Sequence, residues 1–273
     1  MPPGTDENTP LRTGRPGHAH AVLGALAGAA LVFFALPLVG LASRVTPTEL
    51  WAQLGSPAVR AALWLSLEVS LVSLALSLGL GLPLAFVLAR VEFPGRALAR
   101  GLVSLPMVLP PVVGGMALLA AFGRRGLLGG ALEDVGVALP FTTAGAVLAV
   151  TFVAMPFLVT TLEGALATVD PRLEQAAATL GASRWRILWT VTLPAVRPSL
   201  VAGMALCWAR GLGEFGATIT FAGNLEGRTQ TMPLAVYDAL QTDPEAAIAL
   251  GLVLLAVSLT LLIALRGRIG RRA

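Results

Sequence analysis

The sequence predicts an all-α integral membrane protein with six transmembrane helices, and three observations carry that prediction. Of 273 residues, 56% are hydrophobic and only 12% charged, against about 25% charged in an ordinary soluble domain. The mean hydropathy is +0.80. Six apolar stretches are each long enough to cross a hydrocarbon core of about 30 Å, which takes roughly 20 helical residues.

The first span, about 20–43, follows a polar, Pro- and Gly-rich stretch, MPPGTDENTPLRTGRPGH, read as a disordered cytoplasmic tail over residues 1–18. Residues 19–273 then form the transmembrane domain. GLAS at 40–43 loosely resembles a signal-peptide cleavage site. The apolar run before it is longer than the roughly 7–15 residues of a signal-peptide core, so an uncleaved span is expected. The second span is about 60–89 and the third about 99–123. The third is interrupted: SLPMVLPPVVGGMALL carries Pro106, Pro110, Pro111, Gly114 and Gly115. Proline removes a helical hydrogen bond and crowds the preceding turn. In lipid the freed carbonyls must be met by protein or by water in a cavity. A broken span beside a pathway and a simple packing kink both satisfy that requirement.

The fourth span is about 139–163, the fifth about 198–221 and the sixth about 245–265. The fifth, through CWARGLGEFGATITFAGN, places Arg210 near mid-span and Glu214 four residues later, on one helix face. A central charge costs roughly 2.5–3.5 kcal/mol on insertion scales, so such groups turn inward and pair. Mutual neutralisation at a helix interface and a place beside a path or gate are both open. Glu68, in the second span, is a third intramembrane charge with a possible bridge to Arg210. Thr218 and Thr220 supply hydroxyls that either line an anion path or bond their own helix.

All 19 basic residues are arginine. The absence of lysine excludes the Gly-rich, lysine-containing phosphate loop, so the chain does not bind ATP by that route. Cys207 is the only cysteine, and His18 and His20, at the edge of the tail, are the only histidines. No disulfide framework, thiolate cluster or catalytic constellation can be assembled. The pI near 10.8 reflects topology rather than nucleic-acid binding. Placing both termini in the cytoplasm leaves Arg44, Arg60, Arg124, Arg125 and Arg228 outside, Arg210 in the bilayer, and the remaining thirteen arginines inside.

Between the fourth and fifth spans lies a half-polar segment, residues 170–197. Asp170 suits an N-cap and Pro171 the first helical position. Leu173, Ala176, Ala177 and Leu180 then make one narrow apolar stripe. Gly181 supplies a stop, Ser183 caps RWRILWTV, and Pro194 and Pro198 close the segment. A stripe so narrow cannot bury itself. It either lies on the membrane surface or docks in a groove of a cytoplasmic partner.

The segment resembles the cytoplasmic loop motif of ABC importer permeases: Glu-Ala-Ala, three residues, Gly, nine residues, then Ile-x-Leu-Pro. Gln175, Ala176, Ala177, Gly181, Val191, Leu193 and Pro194 fall on that pattern. Gln175 replaces the motif's Glu, with Glu174 one residue earlier, and Val191 replaces Ile. The displaced acid puts in doubt any contact the motif's Glu makes with the partner. Residues 213–247, together with SLPMVLPPVVGG, are similar to molybdate importer permeases and more distantly to sulfate permeases. The resemblance covers nearly all of 55–265.

It implies the six-transmembrane-helix ABC importer permease fold with a cytoplasmic coupling helix, in a multi-pass protein of the inner membrane. It further implies a homodimer with its path at the subunit interface and two ATPase subunits carrying ATP and Mg²⁺. An extracytoplasmic oxyanion-binding protein would meet the outer loops, about 124–138 and 222–243, and membrane lipid would surround the spans. This chain would bind no cofactor and perform no catalysis. A sulfate or thiosulfate permease, and a sensor that does not transport, remain the alternatives.

Overall fold

The computed structural model describes residues 18–269, and among these residues every regular element is helical. The expected tail, residues 1–18, lies almost wholly outside the described residues. The chain divides into two units, one up to Val45 and one from Thr46 onward. The first contributes α1, His18–Ala42, an unbroken apolar helix with Pro37 inside it.

The second unit begins with α2, Pro47–Gly55. Thr46 and Glu49 close its start as a capping box, each side chain meeting the other's backbone N–H. α3, Pro57–Arg90, is the longest helix. It packs most extensively on α7, Thr143–Thr168. α7 starts later than the expected fourth span because Thr142 caps it, accepting the Gly145 N–H at 3.0 Å.

The stretch expected as the third span is broken, as its prolines predict. α4, Arg96–Val108, and α5, Pro111–Phe122, are separated by Leu109 and Pro110. A short α6, Gly129–Asp134, lies in the loop that follows.

The inner segment gives α8, Pro171–Thr179, and α9, Arg184–Ile187. α9 runs through a π turn, Leu188–Thr192, into α10, Leu193–Ala195. Pro194 stands one residue before the end of this continuous helix at Ala195, and the chain then bends by 75° into α11, Arg197–Leu212, with Pro198 in its first turn.

The stretch expected as the fifth span is also broken, which the sequence reading does not anticipate. α11 stops at Leu212, and α12, Gly216–Phe221, starts afresh after three residues. The expected outer loop 222–243 contains α13, Met232–Thr242. α14, Pro244–Ile269, completes the fold, started by the Asp243 carboxylate on the N–H groups of Glu245 and Ala246.

Three helices are single pieces long and apolar enough to cross a membrane: His20–Ala42, Pro57–Arg90 and Thr143–Thr168. The bent pair Arg184–Ala195 and Arg197–Leu212 passes the same test taken together. Pro111–Phe122 and Pro244–Thr260 are shorter apolar helices. One core cluster is built from α3, α7 and α11, around Ala85, Leu88, Leu158, Leu162 and Cys207.

A polar seam runs down the same interface. Ser66, Ser70, Ser73 and Ser77 recur at helical spacing on α3 and are all buried. Ser66 accepts the Met232 N–H (2.7 Å) and Ser70 accepts the Trp208 indole N–H (2.8 Å). Ser73 donates to the Val147 carbonyl (3.0 Å). Small hydroxyl side chains let helices approach closely and hold them by hydrogen bonds where water is absent.

Candidate functional site

Two places carry the chemistry the sequence marks: the helix pair α8–α9 and the break between α11 and α12. At the inner pair, Asp170 accepts the Arg172 N–H at 2.9 Å and Pro171 stands in the first turn, as expected. Gly181 has φ +82°, a left-handed conformation that only glycine adopts without strain. The Gly181 N–H reaches the Ala178 carbonyl (3.0 Å) and the Ala182 N–H the Ala177 carbonyl (3.1 Å). That pair of bonds closes the end of α8 as a Schellman motif. Ser183 then accepts the Arg186 N–H at 3.3 Å, opening α9.

The faces of this segment differ. Leu173, Gln175, Ala176, Leu180 (88% exposed), Trp185 and Trp189 are open, whereas Ala177 is half-buried. Val191 and Leu193 are half-buried, and Leu193 packs on the inner core. Pro194 is exposed. Glu174 turns the other way. Its Oε1 lies 3.1 Å from an Arg90 Nη at the end of α3 and accepts the Thr192 hydroxyl at 2.8 Å. The displaced acid therefore contacts its own chain, and the open Gln175 occupies the motif's acidic position.

Around Arg90 the end of α3 is tied down further. Arg96 donates to the carbonyls of Leu88 (2.8 Å) and Ala89 (3.1 Å), and Arg100 to that of Leu88 (3.2 Å). Arg100 also pairs with Glu163 of α7. The last carbonyls of a helix lack intrahelical partners and attract positive charge, which is the service these arginines perform.

At the break in the fifth span, Arg210 and Glu214 do not share a continuous helix. They are nevertheless paired: an Arg210 Nη stands 2.6 Å from Glu214 Oε2, with side chains 27% and 1% exposed. Glu214 Oε1 accepts the Ala217 N–H at 2.7 Å, so the carboxylate also begins α12. Glu214 thus stands between the two helices, paired to the end of α11 and accepting from the first turn of α12. The chain's own carboxylate fills the start of α12.

α12 wedges against α5, the second half of the broken third span. A β-carbon on Gly115 would lie 2.6 Å from Thr220 Cβ, and one on Gly216 would lie 2.8 Å from Pro111 Cβ. Pro106, Gly114 and Gly115 are buried, while Pro110 and Pro111 are exposed. The Thr220 hydroxyl donates to its own helix at Gly216 (2.8 Å), and Thr218 is wholly buried. Thr220 is half-buried, and the Thr218 hydroxyl has no hydrogen-bond partner in the described chain. Glu68 stands exposed on α3 and does not reach Arg210, whose ion pair among the described residues is with Glu214.

Sequence reasoning missed Arg90, Thr192 and the serine seam. The serines recur at 66, 70, 73 and 77, a helical stripe visible in the sequence. The Arg90–Glu174 pair joins residues 84 apart and left no local signal. Among the described residues no group of three His, Cys, Asp or Glu side chains is placed to hold a metal ion.

Proline- and glycine-broken apolar helices, an ion pair at one break and a capped, open helix pair at α8 and α9 define a helical membrane permease. Residues 81–273 match the family described as the binding-protein-dependent transport system inner membrane component, and the chain belongs to that family. It is 50% identical over 238 residues to the molybdenum transport system permease protein ModB of Mycobacterium tuberculosis, covering 86% of this chain and 89% of that one. It is 38% identical over 244 residues to the sulfate transport system permease protein CysT of Escherichia coli, covering 87% and 88%. Its fold is similar to a chain of a bacterial ABC transporter involved in the import of the acidic polysaccharide alginate. That match has a TM-score of 0.76 at 18% identity and covers 95% of this chain and 97% of the other.

Proposed function

We propose that this chain is the permease subunit of an ATP-driven importer of molybdate or its close analogue tungstate. The observation that carries the substrate is the ranking of relatives. Identity to the molybdenum permease is 50%, against 38% to the sulfate permease over a similar length. The open, Schellman-closed α8 supports the coupling role for Gln175, Ala176, Ala177 and Gly181, because a docking helix must present a free face on a fixed frame.

In this reading two copies of the chain form the path between them. Two ATPase subunits hold ATP and Mg²⁺ and receive one α8 each. An extracytoplasmic oxyanion-binding protein meets the loops around α6 and α13, and lipid covers the outward apolar faces. Both termini are cytoplasmic, as the arginine distribution supports. The broken spans, with Pro106, Pro110, Pro111, Gly114 and Gly115 on one side and Arg210 and Glu214 on the other, form the element that moves between inward and outward states.

Uptake of labelled molybdate in cells lacking the gene, with and without its restoration, tests the reading. Restored uptake blocked by tungstate but not by sulfate supports it. Sulfate uptake returning in place of molybdate uptake moves the substrate to the second reading, for which the sulfate relative speaks. No anion uptake from an expressed assembly removes the oxyanion assignment.

A further inference from the structure

The ion pair at the inner end of α3 is a candidate for the joint between the coupling helix and the membrane core. Glu174 lies on α8, one residue before the open Gln175. Its carboxylate is partly covered and held by two donors from different elements, Arg90 at 3.1 Å and Thr192 at 2.8 Å. Arg90 is the last residue of α3, and its side chain is 18% exposed. Its Nε is buried without a hydrogen-bond partner. Burying a guanidinium with an unused donor is costly unless its remaining contacts are strong, so the bond to Glu174 carries the side chain. Among the described residues this is the ion pair that links α8 to the rest of the chain, and α8 otherwise touches mainly α9 and the π turn.

We infer that Glu174 is a positioning residue: its bond to Arg90 transmits movement of α8 to the end of α3 and makes no contact with the ATPase subunit. This inference rests on the coupling reading of α8. From Arg90 the connection continues through bonds already described. Arg96 and Arg100 join the last turn of α3 to α4, and Glu163 joins α4 to α7. α4 leads directly into the break at Leu109–Pro110. A rigid link at Arg90 therefore delivers a displacement of the inner helix to the broken span. With the link cut, α8 can follow its partner without moving the core.

The test uses the permease co-expressed with its ATPase subunit and binding protein and reconstituted in liposomes. Three quantities are read: recovery of the ATPase subunit with the permease, ATP hydrolysis, and labelled molybdate uptake. Glu174→Ala is expected to keep the ATPase subunit and its hydrolysis while uptake per ATP falls on the order of tenfold, within the usual span of coupling between sites. Thr192→Val, which removes one hydroxyl donor and little volume, is expected to lower the same ratio by a smaller factor. The exchanged pair Arg90→Glu with Glu174→Arg is expected to recover uptake relative to either single change.

Loss of the ATPase subunit in Glu174→Ala would place the acid in the partner's cleft and overturn the inference. Unchanged uptake per ATP in both Glu174→Ala and Thr192→Val would overturn it as well. So would an exchanged pair that inserts, keeps the ATPase subunit and transports no better than the single variants. A wild-type chain that recovers no ATPase subunit would instead remove the coupling reading itself, a result separate from all three.

Discussion

Arg210 and Glu214 form an ion pair, at 2.6 Å, across the end of one helix and the start of the next. The carboxylate is all but inaccessible, while the guanidinium is a quarter open. One oxygen faces Arg210 and the other holds the Ala217 N–H at 2.7 Å. A buried charge that also caps a helix cannot be removed without two losses.

That double duty decides which variants are informative. Arg210→Ala strands a buried carboxylate and is expected to destabilise the protein by about 3 kcal/mol or more. Adding Glu214→Gln removes the charge yet keeps an amide oxygen for the Ala217 N–H, and is expected to restore most of the loss. Glu214→Ala in the same background also removes the cap and should recover about 1 kcal/mol less. Thermal unfolding in detergent, monitored by Trp fluorescence, orders the three. A double variant with Gln no more stable than Arg210→Ala would show that the pair is not the dominant contact.

Gly115 is expected to tolerate no side chain. Its β-carbon would lie 2.6 Å from Thr220 Cβ and 2.9 Å from the Ala217 carbonyl oxygen. Gly115→Ala should cost about 1–3 kcal/mol through overpacking. Gly79, with nothing within 4 Å of its β-carbon, is the control. Gly79→Ala should stay within about 0.5 kcal/mol of the parent. Equal midpoints for the two variants would remove the α5–α12 wedge.

At Gly181 the obstacle is the backbone rather than the neighbours. A β-carbon there meets nothing within 4 Å, but φ is +82°. Gly181→Leu is therefore expected to abolish uptake with the protein still inserted, because an L-residue resists this conformation by roughly 1–2 kcal/mol. Gly181→Asn, which tolerates the left-handed region better, should retain a substantial part of uptake. If Asn and Leu fail equally, side-chain bulk against a partner, not backbone strain, sets the requirement.

The serine seam yields a fourth test. Ser70→Ala leaves the Trp208 indole N–H without the acceptor it has at 2.8 Å. A loss of about 1 kcal/mol is expected, the usual worth of such a bond between membrane helices. Trp208→Phe in the Ser70→Ala background should cost little further, since the stranded donor goes with the indole. Additive losses in the double-mutant cycle, measured by unfolding midpoints, would show that the two side chains are uncoupled.

Much of this architecture is legible in the sequence because its signals are local. Composition fixes the class, and Asp170, Pro171, Gly181 and Ser183 announce the inner helix pair within a few residues. Pro110 and Pro111 mark the first break. The second break is hidden, because Gly213 alone does not end a helix. At the break the Glu214 carboxylate accepts the Ala217 N–H, a contact with no local sequence signature. Glu174 is a similar case. It stands one residue before the motif's acidic position, and only the arrival of Arg90 from 84 residues away gives it a contact within the chain. Thr218 and Thr220 read equally well as path residues or as self-bonded hydroxyls. Thr220 bonds its own helix at Gly216, whereas the buried Thr218 hydroxyl has no hydrogen-bond partner in the described chain.

The two breaks meet. Pro111, which opens α5, and Gly216, which opens α12, stand side by side, and one turn further on Gly115 faces Thr220. The two half-helices thus start at one level, run the same way and are locked tooth to notch. If the broken spans move as proposed, the two half-helices travel as one body, and the chain bends at Leu109–Pro110 and at Gly213–Phe215 together.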